Sequence, residues 1–72
     1  MYHLTLSAEC LHKPTGQWHT ARQTGVGVRA RGVREALDKG LRQVVRWPAY
    51  ADRVGHADWT CHAEAQIERG TL

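Results

Sequence analysis

With 72 residues, ten of them basic and seven acidic for a formal net charge of +3, the chain can build one small core and has little interior for an enclosed catalytic pocket. It lacks a run of about 18 apolar residues, and Met1 to Leu6 lacks the charged start and long apolar stretch of a signal peptide, so a cytoplasmic protein without membrane contact is expected. Cys10 and Cys61 are too few for a secreted disulfide scaffold and form no CxxC pair, which predicts free thiols packed in the core.

Residues 2 to 11 alternate, with Tyr2, Leu4, Leu6, Ala8 and Cys10 in one phase and His3, Thr5, Ser7 and Glu9 in the other, the period of a half-buried strand. Lys13-Pro14-Thr15-Gly16 follows as a turn, since Pro presets φ at its second position and Gly accepts a left-handed conformation at its fourth. A turn that pairs Lys13 with Gln17 sets Cys10 against Thr20, Leu6 against Thr24, Leu4 against Val26 and Tyr2 against Val28. The second strand then turns Trp18, Val26 and Val28 inward, with Arg22 as a misfit in the inward phase and Gly25 and Gly27 marking an irregularity.

A helix is predicted from Gly32, with Glu35 at the capping-box position and an apolar stripe of Val33, Ala36, Leu37, Gly40, Leu41, Val44 and Val45. Glu35 with Lys39 and Asp38 with Arg42 stand at the favourable i to i+4 order on its solvated side. Trp47-Pro48 ends the helix, one short turn is expected between Pro48 and Gly55, and Trp59, Cys61, Ala63, Ala65 and Ile67 alternate with polar residues as a last strand.

A right-handed crossover lays that last strand beyond the first and parallel to the second. The expectation is an α+β fold of ββαβ type. It forms one small domain over residues 1–72, with a hairpin over 2–30, a helix over 33–46, a loop over 47–58 and a strand over 59–68. Its three-stranded antiparallel or mixed sheet has the order 2-1-3, with the amphipathic helix on one face, and Cys10 and Cys61 fall at the same end of neighbouring strands.

Charge is uneven along the chain: Lys13, Arg22, Arg29, Arg31 and Arg34 fall in a stretch, Cys10 to Arg34, that contains no acid. Arg29 and Arg31 are out of phase with the inward residues at the end of the second strand, and Arg34 lies in the first helical turn. Three guanidinium groups beside a helix N-terminus suit phosphate or carboxylate, and Lys13 is a further candidate contact for an anionic partner. The same arginines also fit a plain solvated surface paired to Glu35 or Asp38. Trp47, Tyr50 and Trp59 form a second candidate surface around the helix exit; closing the core is the structural role for the same rings.

No HxH, HxxxH or HExxH spacing occurs among the histidines, although the expected register brings Glu9, His19 and His62 together on the exposed sheet face. No GxSxG, P-loop or dinucleotide-binding loop is present, and neither a metal, a cofactor nor an enzymatic activity is predicted. The outer sheet face lacks the stacking aromatics of single-strand nucleic-acid binders.

The hairpin followed by Gly32-Val33-Arg34-Glu35-Ala36-Leu37 resembles, over residues 2 to 46, the strand-strand-helix layout of HicB-type antitoxin domains and of small phage accessory proteins, including some anti-CRISPR proteins. The likeness is one of layout and lends no residue a role. Eight of the ten basic residues are Arg, and Asn and Phe are absent, a composition typical of GC-rich bacterial or phage genomes. Together these lead to a small non-catalytic protein-interaction module, a phage or bacterial accessory protein that binds a host protein. The alternative is a regulatory nucleic-acid-binding protein that uses the arginine cluster. Unpaired edge strands further suggest a homodimer.

Overall fold

The computed structural model describes residues 1–68. Strand β1 (Tyr2–His12) and strand β2 (Gln17–Val28) form a long hairpin. Helix α1 (Val33–Val44), a single turn α2 (Pro48–Ala51) and strand β3 (Trp59–Ile67) follow. The three strands make one sheet in the order β2-β1-β3. Both β2 and β3 run antiparallel to β1, as the crossover requires. The expected α+β architecture is therefore present, with α1 starting at the expected residue and ending two residues earlier than expected.

The inward phase of β1 is the centre of the core. Leu4, Leu6, Ala8 and Cys10 are buried, together with Val28, Ala36 and Val44. Fully burying a leucine is worth roughly 1.5 to 3 kcal/mol, so Leu4 and Leu6, each at 0% exposure, dominate the small interior. Gly40 lets α1 come down directly over β1 and β3. A Cβ there would stand 2.7 Å from Leu4 Cδ1, 2.9 Å from Leu6 Cδ2 and 3.1 Å from Ala65 Cβ.

The apolar stripe of α1 is only partly covered. Ala36, Gly40 and Val44 are buried, whereas Val33, Leu41 and Val45 remain 49%, 36% and 43% exposed. The helix is centred over β1 and β3, so a three-stranded sheet is wider than its single helix can cover.

The hairpin register departs from expectation at its tip. Tyr2 faces Val28 and Leu4 faces Val26, as expected, but Leu6 faces Gln23, Cys10 faces His19 and His12 faces Gln17. The Lys13 N–H bonds the Asp58 carbonyl at 2.8 Å, which continues the ladder toward β3, so Lys13 does not pair with Gln17 and four residues form the turn. The offset is absorbed at a bulge between Leu4 and Leu6, where Thr24 and Gly25 both oppose Thr5 and Gly25 takes a φ of 67°. Only glycine accepts that conformation without strain. The slip turns Trp18 outward, where it is 60% exposed, and also sends Arg22 to the outer face beside Ser7. Arg22, the misfit of the expected register, thus reaches solvent.

The expectation of free thiols is corrected. Cys10 and Cys61 are directly opposite across β1 and β3, with Cα atoms 4.1 Å apart, and form a disulfide. The number of cysteines carried no information about pairing; their position on facing strands, within bonding reach, decides it. The α2 turn packs over this link, placing the Ala49 carbonyl 3.4 Å from Cys10 Sγ.

Candidate functional site

Arg29, Arg31 and Arg34 are all exposed, as their phase requires, yet they do not form one site. Arg31 and Arg34 line a shallow depression at the start of α1 together with Glu35 and Asp38. Glu35 Oε2 accepts the Arg31 N–H at 3.2 Å, and Glu35 Oε1 lies 3.4 Å from Lys39 Nζ. The Arg31 N–H first, and the Lys39 ammonium next, hold the Glu35 carboxyl below the usual carboxylate range. Glu35 and Asp38 thus lie beside Arg31 and Arg34, while their own ion pairs go to Lys39 and Arg42.

Arg29 belongs to a different surface. It lines a groove of about 550 Å³ with Gly27, Val28, Lys39, Arg42, Gln43 and Arg46. Arg29 lies just past the end of β2, while Lys39 and Arg42 on one side of α1 and Arg46 in the turn that follows it stand at i, i+3 and i+7. The groove exists because α1 is centred over β1 and β3, leaving a channel between the helix and the end of β2. Lys39 Nζ donates to the Arg29 carbonyl at 2.5 Å and so ties the two walls together. Arg42 pairs with Asp38 at 3.0 Å on the solvent side. Four cationic side chains line this channel with no acidic one. The sequence reading treated Lys39 and Arg42 as members of structural ion pairs and passed over Arg46; the cue was the i, i+3, i+7 spacing of the three cations.

Lys13 stands at the opposite end of the molecule. It occupies the hairpin turn, separated from Arg29 by the 12 residues of β2, about 40 Å of strand at roughly 3.4 Å per residue. It takes no part in the groove.

The three aromatic residues also divide. Trp47 and Tyr50 are half-buried and pack against the core cluster, closing it where α1 gives way to α2. Trp59, at the start of β3, stacks with His12 at 4.6 Å and His19 at 5.3 Å between ring centroids, with the Arg53 guanidinium 4.8 Å over its ring. Its surroundings are thus cationic and polar, unlike those of Trp47 and Tyr50.

The outer sheet face carries Thr5, Ser7, Glu9, Thr20, Arg22, Glu64 and Gln66 around a depression of about 140 Å³. Glu64 lies 3.6 Å from His62 and accepts a hydrogen bond from the Gln66 side chain. Glu68 Oε2 accepts the Gly25 N–H at 2.5 Å and the Thr5 hydroxyl at 3.0 Å, and these bonds, the Gly25 one foremost, hold its carboxyl below the usual range. His19 faces Cys10 on the inner side, so it does not meet Glu9 and His62. Among the described residues no three His, Cys, Asp or Glu side chains are gathered to hold a metal ion. Within the same residues no helix is long and apolar enough to cross a membrane.

Comparison with protein-family models, with curated proteins and with solved structures gives no match.

Proposed function

We propose that the chain is a small non-catalytic binding module that takes an acidic segment of a partner protein into the groove between β2 and α1. The observation that carries this reading is the gathering of Arg29, Lys39, Arg42 and Arg46 along one channel, where Glu35 and Asp38 pair with Lys39 and Arg42 and leave Arg29 and Arg46 as its cations with no ion pair among the described residues. Val28 and Gly27 give the channel an apolar floor, and a floor of that kind with arginine walls matches a carboxylate-bearing peptide better than a solvated polyanion. The opposite sheet face carries Glu9, Glu64 and Glu68, which repel any anion long enough to wrap around the molecule.

A second reading keeps one specific observation: Lys39, Arg42 and Arg46 make a row along α1 and the turn after it, of the kind that follows a phosphodiester backbone. A regulatory nucleic-acid binder is the alternative on that ground. In either case an accessory role in a bacterium or its phage accords with the Arg-rich composition. A cytoplasmic setting would make the Cys10–Cys61 bond a reversible one, since reducing compartments keep most thiols unpaired.

The test is an NMR titration with a glutamate-rich peptide and, separately, with a duplex oligonucleotide. The acidic peptide is expected to shift the amides of Arg29, Lys39, Arg42 and Arg46, and an Arg29→Ala, Arg46→Ala double variant to weaken it about tenfold or more. Groove shifts with the duplex alone, with an affinity that falls steeply as salt rises, would transfer the assignment to nucleic acid. No groove response to either ligand would remove both readings.

A further inference from the structure

We infer that the protein forms a two-fold dimer in which the free edge of β3 pairs antiparallel with β3 of a second copy, making one continuous six-stranded sheet. Of the two sheet edges, β2 is broken by the bulge at Gly25 and carries Arg22, which blunts it. Strand β3 has no bulge, proline or lysine, and pairs with β1 without a register shift over its nine residues. The Glu68 N–H bonds the His3 carbonyl at 2.9 Å and the Lys13 N–H bonds the Asp58 carbonyl at 2.8 Å, which sets the alternation of the ladder. Even-numbered residues of β3 hydrogen-bond to β1, so the backbone groups of Trp59, Cys61, Ala63, Ala65 and Ile67 point to the unpaired side.

Those groups define a self-complementary edge. A two-fold axis at Ala63 pairs Trp59 with the second copy's Ile67 and Cys61 with its Ala65, using the whole strand. On the outer face the same register sets His62 against Glu64 and Thr60 against Gln66 of the other copy, twice over. Sliding the register by one pleat either way sets His62 against His62 or Glu64 against Glu64; the first loses both His62–Glu64 contacts and the second opposes two carboxylates, so the centred alignment is selected. Glu68 does not interfere, because its carboxylate is turned inward across the sheet to Thr5 and Gly25.

The helix supplies a second, independent mark. The cationic side of α1 borders β2 through the groove, so its other flank, bearing Val33, Leu41 and Val45, lies on the β3 side. These are the exposed members of the helical stripe, and Arg34 and Asp38, seven residues before Leu41 and Val45, share that flank. Pairing β3 with its copy brings the two helices side by side above the junction, and the exposed stripe of each meets that of the other. The two cationic grooves end up on the outer flanks, both open.

Sedimentation equilibrium of the oxidised protein tests this. A dimer is expected, and Glu64→Lys should weaken it by about tenfold, because it removes the carboxylate facing His62 at two places. Combining His62→Glu with Glu64→Lys reverses the pair and should restore most of the affinity, which a merely misfolded single variant could not do. Hydrogen exchange on the unaltered protein gives a readout free of variants: the Cys61, Ala63 and Ala65 amides should gain protection as concentration rises. A monomer at about 1 mM, or a dimer whose concentration-dependent protection falls on β2 amides, would overturn the proposal.

Discussion

The Glu68 carboxylate accepts the Gly25 N–H at 2.5 Å across 43 positions of sequence, joining the residue after β3 to the bulge of β2 over the top of β1. One side chain thus spans the width of the sheet at the end remote from the disulfide, and it also receives the Thr5 hydroxyl. The bulge amide, which faces away from any ladder partner, is satisfied by this carboxylate.

Acid sensitivity follows from this bond and from Glu35. Both carboxyls have folded-state pKa values below their unfolded values. Their contribution to stability is complete above the unfolded value of roughly 4 and is lost as pH falls through the lower folded value. Thermal melts taken from neutral pH downward should show a falling midpoint on the acid side. Glu68→Gln should lower the neutral midpoint and flatten that slope; an unchanged acid slope would show that the Gly25 bond does not survive in solution.

Gly40→Ala should destabilise the protein although alanine is the better helix former by about 1 kcal/mol. The added methyl meets Leu4 and Leu6, which are fully buried and cannot swing away, and the Ala65 Cβ of the sheet. Overpacking of this kind costs roughly 1 to 3 kcal/mol, so the net change is a loss of about 1 kcal/mol, readable by urea denaturation. A gain in stability would place α1 higher above the sheet.

Reduction should lower stability sharply. The Cys10–Cys61 bond joins positions 51 apart in sequence, and the chain-entropy model assigns a loop of that size about 4 kcal/mol. For a domain with marginal stability this is the difference between a folded and a largely unfolded chain at elevated temperature. Melting curves with and without reductant, with thiol alkylation to confirm the bond has opened, should differ by many degrees; coincident curves would contradict the assignment.

The tryptophans should separate by register. Trp18→Ser should change stability by less than about 0.5 kcal/mol, because the ring stands in solvent on the outer face. Trp47→Ala should remove about 2 kcal/mol, because its ring closes the core. Comparable losses at both positions would mean that Trp18 faces inward.

Strand alternation, the proline after Trp47 and the handedness of crossovers were enough to reach the sheet order. The tip of the hairpin was not, because a three-residue and a four-residue turn through Pro14 and Gly16 are locally equivalent. What separates them is the Lys13 N–H bond to Asp58, a contact with a strand that arrives much later in the chain. Arg22, set inward by the expected register, was the local sign of the error. The basic groove was hidden for a related reason: Lys39, Arg42 and Arg46 acquire Arg29 as a neighbour only when α1 settles off-centre on the sheet. Cys10 and Cys61 were placed on the same face and end of adjacent strands, but whether two facing thiols bond depends on a separation that periodicity does not measure.

The covalent link also divides the chain mechanically. A pulling force applied at the two ends would peel β1 from β3, starting at the Leu4–Ile67 pair and running toward Cys10–Cys61. There the tension passes through the sulfur atoms and bypasses everything between. The turn, β2, α1, α2 and the cationic channel lie inside that loop and carry no direct tension, but they lose the packing of Leu4, Leu6 and Ala8 once β1 is drawn out, so the link limits how far the chain extends rather than preserving the fold.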